Sequence, residues 1–87
     1  MNGYCYICGI YGPLENHHVF HGPYRKKADR MGLTVHLCHR CHNEPPCGVH
    51  HSREADKRLK AEFQQKVMEN EGWSTERFIL EFGKNYL

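Results

Sequence analysis

No stretch of this 87-residue chain approaches the roughly 18 consecutive apolar residues of a membrane-spanning helix, and no signal-peptide pattern opens it. The expectation is a chain with no membrane partner, made in a reducing compartment. There is no internal repeat, which excludes a solenoid, and no low-complexity tract, which excludes a collagen-like or linker chain. Disorder is excluded by ten aromatics and by charges of both signs. Length is also in short supply. A chain of this size buries only roughly 60–65% of its unfolded surface, so one small domain is expected, and it needs a staple.

What the chain does have is metal-ligand side chains: five Cys and eight His. Cys5/Cys8 and Cys38/Cys41 are two Cys-x-x-Cys pairs separated by the 29 residues Gly9 to Leu37. Two such knuckles let four thiolates close a tetrahedron around Zn²⁺. A lone pair could be a redox motif, but two in one small chain fit a structural zinc better. An odd Cys count in a chain without a secretion signal opposes a disulfide framework, and Cys47 is left over as a bystander.

The charge is uneven. Residues 1–60 hold nine Lys/Arg against five Asp/Glu, whereas residues 61–87 hold three against five. The Cys- and His-rich part is thus the basic part, which suits a polyanion such as nucleic acid.

Along the chain, residues 1–12 read as the first knuckle. Val19-Phe20 are β-prone, and Gly22-Pro23 ends that strand. Tyr24–Arg30 reads as a loop or a helical turn. Leu33–Leu37 reads as a second short strand running into Cys38. A helix is expected to start at Cys41 and to stop early at Pro45-Pro46. Ser52 is the expected N-cap of a helix of about 18 residues, with Ala55, Leu59, Phe63 and Val67 as its apolar stripe and Gly72 as its stop. Ser74 or Thr75 caps a last helix carrying Phe78, Ile79 and Phe82, closed by Gly83. Both stripes read as packing surfaces.

Between the knuckles lies His17-His18; His42 follows the second knuckle, and His50-His51 follows the Pro-Pro turn. Zinc closure would draw the hairpin and His42 together. A strand would present His17 and His18 to opposite faces. One imidazole can then bind a metal while its neighbour stays free as a general base.

These residues carry a resemblance. Glu15-Asn16-His17-His18-Val19-Phe20 followed by Leu37-Cys38-His39-Arg40-Cys41-His42-Asn43 resembles the HNH endonucleases of the ββα-metal type. The wider run His18 to Lys27, Gly32-Leu33, Cys41 to Pro46, Gly48-Val49-His50 and Phe82 to Leu87 is similar to the phage-type recombination-enhancement nucleases that act with RecA. The resemblance spans nearly the whole chain. It implies a small α+β fold: a zinc-stapled ββα-metal core over residues 1–51, and a helical C-terminal extension over 52–87 packed on it.

The resemblance also implies roles. His17 would hold the catalytic metal, and His18 would deprotonate water. His42 matches the helix-borne ligand, and His50 is the expected third ligand with His51 as its rival. Arg25, Lys26, Lys27 and Arg30 would contact DNA phosphates, which positions DNA without reading sequence. The catalytic ion would be Mg²⁺, Mn²⁺, Zn²⁺ or Ni²⁺; imidazoles favour the softer ions, whereas the family often works with Mg²⁺. The implied activity is phosphodiester hydrolysis of DNA, targeted by a RecA filament, in a bacterial cytoplasm and encoded by a phage or prophage.

One departure stands out. Many HNH enzymes carry an Asn before the second strand, and here that step is Gly32-Leu33. The residue that braces the base is thus absent from its usual place. Two other classes compete with the nuclease. One is a zinc-stabilised nucleic-acid-binding module without catalysis, which needs neither His18 nor a second metal. The other is a thiol redox protein built on one Cys-x-x-Cys pair.

Overall fold

The structure is a computed structural model that describes residues 1–87. It is a small α+β arrangement of two antiparallel hairpins and four helices. The first hairpin pairs β1 (Asn2–Tyr4) with β2 (Tyr11–Pro13), Gly3 opposite Gly12. The knuckle Cys5–Gly9 is its turn. Gly9 sits at φ 78°, a left-handed conformation that costs glycine little. This hairpin lies outside the elements expected from sequence, because its two strands are too short to show a period.

The second hairpin pairs β3 (Glu15–His18) with β4 (Thr34–Leu37), His17 opposite Val35 and His18 opposite Thr34. The strand therefore runs through the His pair, not through Val19-Phe20. Those two residues follow directly on the ladder, the Val19 amide still donating to the Leu33 carbonyl at 3.3 Å, and enter the core at 0% and 2% exposure. Burial of a branched and an aromatic side chain there is worth about 1.5–3 kcal/mol each. Tyr24–Arg30 resolves into a 3₁₀ turn and α1 (Arg25–Arg30), which sit between β3 and β4.

α2 spans His39–Asn43, two residues earlier than Cys41. Cys38 is its N-cap, and the His42 amide donates to the Cys38 carbonyl at 3.0 Å, so the helix grows out of the knuckle itself. α3 (Arg53–Glu71) starts on Ser52, whose hydroxyl accepts from the Ala55 amide, and ends on Gly72. α4 (Thr75–Phe82) starts on Ser74, whose hydroxyl accepts from the Arg77 amide. Ile79 is 40% exposed, so the inward stripe of α4 is Phe78 and Phe82 alone.

Fourteen buried residues make one core. Val19, Phe20, Leu33, Val35 and Leu37 come from the hairpin region; Leu59, Phe63 and Val67 come from α3; Phe78 and Phe82 come from α4. Phe20 is the hinge of this packing, with ring centroids 4.8 Å from Phe82 and 5.9 Å from Phe78. Buried Gln64 ties down the C-terminus: its amide donates to Asn85 Oδ1 at 2.8 Å, and its Oε1 accepts from the Tyr86 amide at 2.7 Å. Lys27 reaches from α1 to α4, its ammonium 2.7 Å from Glu81 Oε1. No helix is long and apolar enough to cross a membrane. Two-stranded sheets are marginal alone, so the hairpins depend on helix packing and on whatever the Cys hold.

Candidate metal centres

The four knuckle sulfurs, Cys5, Cys8, Cys38 and Cys41, lie within 4.8 Å of one another. No disulfide joins them. Two sulfurs on a tetrahedral zinc at 2.3 Å would be about 3.8 Å apart. Cys8 and Cys38 Sγ are 3.7 Å apart. Burial pushes the Cys5 thiol up, but the backbone amides of Cys8, Cys38 and Ile7 outweigh it and bring it down to about 6. Burial and then the neighbouring sulfurs push Cys41 up to about 12. Four sulfurs this close cannot all be thiolates unless a cation holds them. The set could hold a metal such as zinc.

The second assembly is nitrogen. His17 on β3, His42 on α2 and His50 in the loop before α3 place their ligand atoms within 4.8 Å of one another. His17 is 1% exposed, and its Nε2 is a buried polar atom with no hydrogen-bond partner. An orphaned buried nitrogen costs about 1–3 kcal/mol unless a ligand satisfies it. Burial first, then His42 and His50, push its pKa down to about 4, so its lone pair is free at neutral pH. His42 Nδ1 lies 2.8 Å from Glu15 Oε1. A carboxylate only accepts, so Nδ1 carries the proton and Nε2 keeps the lone pair. That Nε2 faces His50 Nε2 at 2.9 Å. Two nitrogens on a tetrahedral ion would be about 3.3 Å apart, so a shift of a few tenths of an ångström seats one. The donor set fits a divalent ion of the imidazole-preferring kind.

Glu15 also accepts from His39 Nδ1 at 2.9 Å, and His42 and then His39 hold its carboxyl below the usual range. It lies on the same side of β3 as His17, two residues away. Sequence reasoning passed over this residue; the alternation of the strand was the available signal.

The loop after α2 decides which His of the pair joins. Gly48 is buried against the end of α2, and a Cβ there would lie 2.7 Å from the Glu44 nitrogen. The chain doubles back, so that the Val49 amide donates to the Cys41 carbonyl at 2.8 Å and the His50 amide to the His42 carbonyl at 3.2 Å. His50 therefore joins the cluster, and His51 does not.

His18 points to the other face of β3 and is half-buried. Its Nδ1 lies 2.8 Å from Asp29 Oδ1, and its Nε2 lies 3.1 Å from Arg25 Nη2. The carboxylate fixes the Nδ1–H tautomer, and Nε2 accepts from the guanidinium. Asp29 on α1, three residues before Gly32, is thus the carboxylate that orients His18. No local pattern announces this pairing, since it exists only once α1 folds over β3. Of the four expected phosphate-binding cations, Lys26 and Arg30 are exposed, and Arg25 borders His18. Lys27 is engaged with Glu81 and stands apart from that set.

No protein-family model, no curated protein and no solved structure matches the chain.

Proposed function

We propose that this chain is a metal-dependent DNA endonuclease of the HNH, ββα-metal type. β3, β4 and α2 are the ββα core of that reading, with the sulfur cluster as a structural zinc site and His17, His42 and His50 as ligands of a catalytic divalent ion. The observation that carries it is the divergence of one His pair. His17 turns its unpartnered Nε2 into a nest of imidazoles, while His18 is held by Asp29 with its own Nε2 lone pair outward.

The residues then divide the work. His18 Nε2 takes a proton from the attacking water as a new bond forms to phosphorus. Asp29 stabilises the resulting imidazolium through Nδ1–H. Arg25 turns from His18 Nε2 to a non-bridging phosphate oxygen, which frees that nitrogen for water. The bond to the 3′ oxygen breaks and that oxygen takes a proton from solvent water, leaving a 5′-phosphate and a 3′-hydroxyl. A bound divalent ion would polarise the phosphate and stabilise the leaving oxygen. Lys26 and Arg30, on the same helix as Arg25, supply phosphate contacts that carry no sequence information. Targeting by a partner, the RecA filament of the resemblance, would then supply the location.

The test is nicking of supercoiled plasmid and of single-stranded DNA in Mg²⁺ or Mn²⁺, with and without a RecA filament. Wild type should cut, and His18→Ala should lose about 10²–10⁴-fold. Equal cutting by both would remove His18 from the mechanism. Binding without cutting in every condition would leave the zinc-stabilised nucleic-acid-binding module as the function.

A further inference from the structure

The imidazole nest has a second flank. His21 follows the buried Phe20, and its ring centroid lies 5.6 Å from that of His17. Asp56 stands one turn into α3, its amide donating to the Ser52 carbonyl at 3.0 Å. The ligand atoms of His17, His21 and Asp56 lie within 4.8 Å of one another, as a set separate from His17, His42 and His50. His17 is the only member common to both, and it owns the buried, unpartnered Nε2. Asp56 Oδ2 pairs with Lys60 Nζ at 2.9 Å, and an ion held there would displace that ammonium from the carboxylate.

We propose that His17, His21 and Asp56 form a second position for a divalent cation, alternative to the one at His17, His42 and His50. The alternation, though not the second position itself, rests on the nuclease reading of that first set. A neutral imidazole has one N–H and one lone pair, so His17 can serve one ion at a time. The two positions differ in hardness. Three neutral imidazoles suit Ni²⁺ or Zn²⁺, whereas two imidazoles and a carboxylate shift preference toward Mn²⁺. An ion at the second position also takes His17 away from the first set. Asp56 belongs to α3, so this helix does more than pack: it sets how the ion is shared between the two positions.

The experiment uses the full chain carrying one zinc per molecule, titrated with Co²⁺ and followed by calorimetry and by the ligand-field spectrum. Retention of the zinc and of the helical circular dichroism reports folding in every variant. Wild type should take up one Co²⁺ beyond the zinc. With two alternative positions of comparable affinity, His42→Ala and Asp56→Asn should each retain uptake, weakened about twofold, with different ligand-field spectra. The double variant should lose about 10³-fold. Loss in His42→Ala as complete as in the double variant would overturn the second position and leave the first intact. Loss in Asp56→Asn as complete as in the double variant would overturn the first set and with it the nuclease reading. Uptake of two Co²⁺ ions by wild type would overturn the alternation.

Discussion

The sulfur cluster and the imidazole nest meet at α2, whose adjacent residues Cys41 and His42 serve one each. They are nevertheless assembled in different ways. Each Cys pair is held by its own knuckle, and the amides of Cys8 and Ile7 already favour a thiolate at Cys5. The imidazoles come from a strand, a short helix and a doubled-back loop, and Glu15 and Gly48 must place them. The sulfurs are a local device closed by spacing; the imidazoles are a tertiary device closed by packing. On the proposed reading, the first bears on whether the chain folds, and the second on what the folded chain does.

The largest effect should come from breaking the sulfur side. A structural zinc in a small domain contributes about 10–16 kcal/mol, as much as or more than the roughly 5–15 kcal/mol that holds a typical domain folded. Chelation, or Cys41→Ser, should therefore unfold the chain, seen as loss of helical circular dichroism. His42→Ala should leave that signal in place.

The next largest effect is on the imidazole side. Asp29→Asn removes the carboxylate that fixes the His18 tautomer and should lower DNA cutting about 10–100-fold, with divalent-ion affinity unchanged. Single-turnover rates against ion titrations separate the two readouts. Gly48→Ala should come third. Its Cβ meets backbone of Asn43 and Glu44, so we expect about 1–3 kcal/mol of destabilisation, read by urea melts, together with weakened ion binding at the imidazoles.

Acid sharpens the comparison more gently. The folded pKa of His17, about 4, lies below the roughly 6.5 of an unfolded imidazole, so the unfolded chain takes up the proton first. Stability is then fully present above about pH 6.5 and declines as pH falls toward 4. A series of melts over that window should show this slope, and His17→Gln should flatten it. The smallest effect belongs to His51→Ala. It lies outside the nest, and cutting should stay within about twofold of wild type.

Much of the scaffold was legible from residues alone. Ser52, Ser74, Gly72 and Gly83 mark the ends of α3 and α4 because caps and left-handed stops are chemistry of single side chains. The sulfur set was legible because a Cys-x-x-Cys turn brings its own two ligands together. β3 carries the His pair and ends at His18, just before the Val19-Phe20 that propensity favours. Lys27 looked like one of a run of free cations, and only α4 shows its partner, Glu81.

Sequence by itself determined the donor types, the two knuckles, the helix limits and the opposed faces of His17 and His18. Each follows from spacing within a few residues or from the period of a strand. The tertiary structure alone decided that His50 and not His51 joins the nest, that Asp29 orients His18, and that α3 brings Asp56 to His17. Those choices join residues distant in the chain or select between neighbours of equal chemistry. No local pattern encodes them until burial of one core has fixed where α1, α2 and α3 lie.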